Sequence, residues 1–188
     1  MRRAALAALL FLAAAAPAAR ADEAADLFQG FQAKSTDPIQ VDAAALETYE
    51  DSGQRVSVFS GSVTVKRGNT TMKADTIKLY SPPGATGTAP ADANAATQAA
   101  APVASGAFNR IEADGHITVL SGADSVTGDD AVVDMKANTI VVTGNVVLAQ
   151  GQNVISGSKL TVDLNTGRAK VEQQAGKQIR GVFSPSTQ

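Results

Sequence analysis

A glycine recurs at positions 61, 115 and 144, and the residues that follow each one recur with it. Seven residues on lie Gly68, Gly122 and Gly151. Two and four residues on lie Val63 and Val65, Ile117 and Val119, Val146 and Leu148. Eleven on are Met72, Val126 and Ile155, and thirteen on the small residues Ala74, Gly128 and Gly157. Sixteen and eighteen on are Ile77 and Leu79, Ala131 and Val133, Leu160 and Val162. Agreement this dense marks a repeat protein, whose units bury a continuous core by stacking. A half copy, Ile39 to Leu46, precedes the three with the spacing of Met72 to Leu79, and a weaker one, Lys170-Val-Glu-Gln, follows them.

Each unit reads as two strands. Gly-x-Val-x-Val alternates with period two, as a half-buried strand must. The second glycine, flanked by polar residues in Arg67-Gly-Asn69 and Gln150-Gly-Gln152, marks a hairpin turn. The second strand changes parity between Met72 and Ala74 on one side and Ile77 and Leu79 on the other. One residue must be absorbed there, which predicts a bulge or corner near Asp75, Asp129 and Ser158. Further turns are expected at Lys136-Ala-Asn138 and Asn165-Thr-Gly167. Only Ala24 to Ala33 offers a short helix or a loose stretch. The fold expected is all-β, an elongated, twisted antiparallel β-jelly-roll of roughly 11 to 13 strands, built from hairpin repeats of about 29 residues. Its incomplete end copies would leave open sheet edges, which invite another strand.

Copies one and two are 54 residues apart, but two and three only 29. The excess falls at 81–106, a stretch of Ala, Pro, Thr, Gly and Ser too poor in large apolar groups to repay its ordering. A flexible insert is expected there, between two hairpin strands. Residues 1–21 read as a cleaved signal peptide: Arg2 and Arg3, the apolar run Ala4 to Ala16, then Ala19-Arg20-Ala21. That run is short of the roughly 20 residues a spanning helix needs. The expected organisation is completed by a flexible segment at 22–37, the repeat domain at 38–183 and a disordered tail at 184–188.

Without 1–21 the chain carries 13 Lys plus Arg against 18 Asp plus Glu, a net charge of −5. With no basic cluster it is a poor partner for nucleic acid. With no cysteine it has no disulfide, thiol nucleophile or thiolate metal site. Its one histidine, His116, sits on the polar side of a strand, and no G-x-S-x-G accompanies it. Asp124, Asp129, Asp130 and Asp134 cluster in sequence, but Asp42, Asp75 and Asp129 share a repeat position where a short polar side chain stabilises a corner. No nucleotide-binding glycine motif occurs. The residues thus point to no enzyme, cofactor or metal. What remains is the apolar ladder, which is either plain core or the lining of an open trough between splayed sheets.

Val58-Phe-Ser-Gly-Ser-Val-Thr-Val65, Met72-Lys-Ala-Asp-Thr-Ile-Lys-Leu79, Ile140-Val-Val-Thr-Gly-Asn-Val-Val-Leu148 and the opening Pro38-Ile-Gln-Val-Asp42 resemble the OstA-like family of lipopolysaccharide export. The likeness spans about Pro38 to Phe183 outside the insert, which is longer than the family's turn; aromatic residues are also scarcer here. It implies a periplasmic protein whose trough takes the acyl chains of lipid A. Its partners would be further copies stacked head to tail, an LptC-type inner-membrane protein and an LptD-type outer-membrane protein. By motif position it implies lipid contacts at Ile39, Val41, Val63, Val65, Ile117, Val119, Val133 and Met135, so that Val119→Asp or Val133→Asp would abolish binding while the sheet still forms. A membrane-tethered LptC-type protein and a structural envelope β-solenoid without lipid cargo are the alternatives.

Overall fold

The computed structural model describes residues 27–32, 35, 37–82 and 108–183. The expected signal peptide, the tail and all of the insert but Ser81 and Pro82 lie outside the described residues. A short 3-10 turn, Gln29–Phe31, precedes ten strands. These are β1 (Gln40–Asp42), β2 (Ala45–Asp51), β3 (Gln54–Arg67), β4 (Thr70–Ser81), β5 (Arg110–Ser121), β6 (Asp124–Asp134), β7 (Thr139–Gln150), β8 (Asn153–Asp163), β9 (Arg168–Glu172) and β10 (Arg180–Val182). All pair antiparallel in one sheet, in which β3 to β8 follow one another in chain order.

Among the described residues the count is ten, against the 11 to 13 expected. The reason is that Gly61, Gly115 and Gly144 do not begin strands. They lie inside β3, β5 and β7, which run 14, 12 and 12 residues. The pairing slips at these glycines, leaving Gly61-Ser62 opposite Asp75, Gly115-His116 opposite Asp129 and Gly144-Asn145 opposite Ser158. The corner is therefore where the parity change placed it, but the extra residue belongs to the neighbouring strand. Gly61, Gly115 and Gly144 have φ of 85°, 79° and 95°, in the left-handed region. The hairpin glycines 68, 122 and 151 have φ of 56°, 60° and 55° at the first turn position, as type II′ turns need.

The corner divides the sheet into two leaves. One holds 54–60, 76–81, 110–114, 130–134, 139–143 and 159–163, flanked by β2 and β9. The other holds 63–67, 70–74, 117–121, 124–128, 146–150 and 153–157, flanked by β1 and β10. Ile111, Ala113, Ile117 and Val119 of β5 keep one parity across both leaves and are all buried, as are Ile140, Val142, Val146 and Leu148 of β7. Both leaves feed one apolar cluster. Apart from the short turn at the N-terminal end, no second layer covers that face among the described residues, so the leaves must cover each other. This is a jelly-roll made by bending a single sheet.

The small residues at the corner follow from the bend. A Cβ on Gly128 would come within 2.5 Å of Val142 Cγ1, and one on Gly157 within 2.5 Å of Val171 Cγ1. Gly128→Val is expected to destabilise the fold by about 1–3 kcal/mol through overpacking, read as a lowered urea midpoint at unchanged slope.

Candidate functional site

Among the described residues, the interior between the leaves is the extensive apolar surface the repeat builds. It gathers all eight residues singled out from the sequence. Ile39, Val63, Val65, Ile117, Val119 and Val133 are at most 1% exposed, and Val41 is 6% exposed. Met135 is half-buried just beyond β6, its amide donating to the Asn109 carbonyl. Val41 pairs with Val65 across the β1–β3 ladder. With them stand Met72, Ile77, Leu79, Ile111, Val126, Ile140, Val142, Leu160 and Val162, the other rungs of the repeat.

The expected open trough is not what these side chains form. They mesh with one another, because a sheet bent on itself brings its two leaves to side-chain packing distance and water is expelled. Val119→Asp and Val133→Asp therefore cannot leave the sheet intact, as the sequence suggested, since each would bury a lone carboxylate.

Within the segment expected to be flexible at 22–37, three of the described residues are packed into the interior. Leu27, Phe28 and Phe31 are fully buried and belong to the same cluster. Their i, i+1, i+4 spacing is one face of a helical turn, the signal that Ala24 to Ala33 offered. Phe59 and Phe108 are buried as well. Toward β8, β9 and β10 the lining is aliphatic and less enclosed: Ile155, Ala169 and Val171 are only partly buried.

Arg67, at the end of β3, is 3% exposed. Its Nε donates to the Asp37 carbonyl at 3.1 Å and its Nη2 to the Ser35 carbonyl. Burial lowers the Arg67 pKa, and the nearby Asp37 carboxylate partly offsets this. Thr70, across the turn, accepts from the Gly30 amide and donates to the Leu27 carbonyl, both at 3.3 Å.

The acidic residues brace the corner and the hairpin turns. Asp75 Oδ2 lies 2.7 Å from His116 Nδ1. Asp129 Oδ2 accepts from the Asn145 amide at 3.2 Å and from its side chain at 3.1 Å. Asp124 accepts from the Gly151 amide and Asp134 from the amides of Lys136 and Ala137. No group of three or more His, Asp or Glu is placed to hold a metal among the described residues. On the outer face of the first leaf, Tyr80 donates to Glu112 at 2.7 Å, which pushes its pKa up to about 12. Burial raises the Glu112 pKa, but the hydrogen bonds from Tyr80 and Arg110 outweigh it and leave the carboxyl below its usual value.

The profile of the LptA/(LptD N-terminal domain) LPS transport protein family matches residues 40–168, which is β1 through the first residue of β9. The chain belongs to this family. That places it with the LptA-type proteins of the OstA-like group, a transport family rather than an enzyme family. An uncharacterized protein of Rhizobium meliloti (strain 1021) is 31% identical over 163 residues, covering 86% of this chain and 80% of that protein. The crystal structure of LptH, the LptA homologous periplasmic component of the conserved lipopolysaccharide transport device of Pseudomonas aeruginosa, shares the fold. It superposes with a TM-score of 0.57 at 19% identity, over 79% of this chain and 96% of LptH. Family membership gives the bent sheet its setting: an apolar interior in a lipopolysaccharide transport protein.

Two outcomes follow. Val119→Asp should cost more than about 3 kcal/mol of stability, the scale of an uncompensated buried charge, and abolish the cooperative unfolding transition at 37 °C. The His116–Asp75 pair gives a pH dependence. The hydrogen bond to Asp75, with the charge of that carboxylate, raises the His116 pKa above its ordinary 6.5. A raised folded-state pKa stabilises fully below 6.5 and is lost as pH rises through the elevated value. Because His116 is 91% exposed, the effect is small. The midpoint of thermal unfolding should fall slightly across that window in the wild type and stay flat in Asp75→Asn.

Proposed function

We propose that this chain is a periplasmic lipopolysaccharide carrier, a bridge that takes lipid A acyl chains between its two leaves and performs no reaction on them. The observation that carries the reading is the interior itself: one unbroken apolar cluster running from Ile39 on the first strand side to Leu160 and Val162 near the last, in a chain of this transport family. An amphiphile with several acyl chains crosses water only at a cost of about 0.8 kcal/mol for each exposed methylene. An interior running across the strands offers such chains a path with no aqueous step.

The leaves part to admit the lipid. Acyl chains then contact Val63, Val65, Ile117, Val119, Val133 and Met135 in place of the side chains these residues touch when empty, so the exchange costs far less than opening an apolar face to water. Ile39 and Val41 take the same role at the N-terminal edge. The sugar stays at the rim, where the hairpin tips carry Asp51, Ser121, Asp124, Asp134, Gln150 and Asp163.

The two ends of the sheet make the bridge. Among the described residues, β1 and β2 pair only with β3, and β9 and β10 only with β8. Each keeps a free edge suited to strand addition. At the last edge Val182 and Phe183 are 65% and 66% exposed. End-to-end pairing with another copy, with an LptC-type inner-membrane protein or with an LptD-type outer-membrane protein would continue both sheet and interior. Residues 1–21 deliver the chain to the periplasm and are removed there.

Protein grown with photo-methionine in place of methionine carries a nearly isosteric photoreactive group at Met72 and Met135, both part of the interior cluster. Irradiation with lipopolysaccharide should crosslink it to peptides containing these two positions. Lipopolysaccharide that binds the protein yet crosslinks at neither position would contradict the reading.

A further inference from the structure

The residues that hold the N-terminal segment break the repeat. Six residues after each repeat glycine stand Arg67, Ser121 and Gln150; nine after stand Thr70, Asp124 and Asn153. All six flank hairpin turns on the inward face of the second leaf, at the mouth of the interior. Only the first copy has an arginine there, and its guanidinium is buried. Both of its partners among the side-chain hydrogen bonds are backbone carbonyls of the segment, at Ser35 and Asp37. Thr70 likewise bonds Leu27 and Gly30. Gly30 is needed for the close approach, since a Cβ would collide with the Arg67 carbonyl and come within 2.9 Å of Thr70 Cβ. On the turn itself, a Cβ on Gly68 would lie 2.8 Å from Asp37 Oδ2.

The segment thus presents three apolar side chains to the interior and a set of oxygen acceptors to one cation at its mouth. This is the chemical outline of an acylated, phosphorylated lipid. We infer that Leu27, Phe28 and Phe31 occupy an acyl-chain position, and that the carbonyls of Ser35 and Asp37 occupy the position of a lipid phosphate on Arg67. Residues 27–32, with Ser35 and Asp37, are an internal stand-in that the lipid displaces. The inference rests on the carrier reading above and deepens it: it names a headgroup contact and the occupant that must leave.

The physical balance favours exchange over simple insertion. Arg67 without the segment would be a cation stripped of both carbonyl partners, costly unless an anion replaces them. A phosphate accepts from the guanidinium fork in the same manner and adds its charge. The apolar positions are refilled by acyl carbon, so no void is left. A lipid with acyl chains but no phosphate satisfies only half of the exchange.

Hydrogen exchange and binding, with purified lipid A and its dephosphorylated form as probes, test this. In the wild type, lipid A should strip protection from the amides of Gly30 and Phe31, which are bonded to Thr70 and Phe28, while Val126 and Val142 stay protected. Phe28→Ala/Phe31→Ala, which weakens the competitor, should bind both lipids several-fold tighter. Arg67→Gln should weaken lipid A by about tenfold, the scale of a hydrogen-bonded charge, without weakening the dephosphorylated lipid. Should lipid A bind while the Gly30 and Phe31 amides remain protected, and Arg67→Gln treat both lipids alike, the stand-in is wrong and the carrier stands. Absence of any lipid binding by the wild type and by Phe28→Ala/Phe31→Ala would remove the carrier reading itself. The exchange measurement on the wild type needs no substitution, so a variant that fails to fold leaves the question decidable.

Discussion

A sheet with almost nothing laid across it has to cover its own apolar face, and the rest of this molecule follows from how it does so. The bend is bought with backbone conformation. Gly61, Gly115 and Gly144 take left-handed φ, and each puts one extra residue opposite Asp75, Asp129 or Ser158. At the second of these corners, Asp75 reaches across to His116, itself at φ 47°. A histidine rarely adopts that conformation, and the hydrogen-bonded carboxylate beside it offsets part of the strain. At the third, Asp129 holds the amide and side chain of Asn145. Of the acidic residues that look in sequence like a cation site, Asp129 braces this corner, while Asp124 and Asp134 hold the amides of hairpin turns.

The same bend explains the state of the interior. Strand ladders lie within the sheet, so facing leaves hold each other through side chains alone. Contacts of that kind are non-directional, and hydrocarbon from another molecule can replace them without leaving a polar group unsatisfied. A core fastened across its middle by buried hydrogen bonds would not exchange in this way. Burial of Val119 and Val133 is therefore compatible with transport: a closed interior keeps water out while the lipid is absent.

Much of this was legible in the residues. Period-two alternation placed the strands, and the parity change between Ala74 and Ile77 located the corner to within a residue. All eight positions singled out lie in or against the apolar cluster, because side-chain direction in a strand follows from position alone. Two things were not legible. The first was whether the leaves stand apart or touch, since alternation fixes which way a side chain points and not what it meets. The second was the docking of Leu27, Phe28 and Phe31. The apolar triplet is visible, yet its receptor is formed by Arg67 and Thr70, about forty residues away, and only the folded hairpin brings their inward faces to it. A repeat comparison already held a clue, because Arg67 has Ser121 and Gln150 as its counterparts.

Each repeat contributes two neighbouring strands to the stack, and strands stand about 4.8 Å apart. One further copy would lengthen the corridor by about 10 Å while leaving its cross-section, its corner and its lining unchanged. Distance to be spanned is thus a matter of duplication, not of redesign, and a lineage with a wider envelope could meet it by tandem expansion of a unit of about 29 residues.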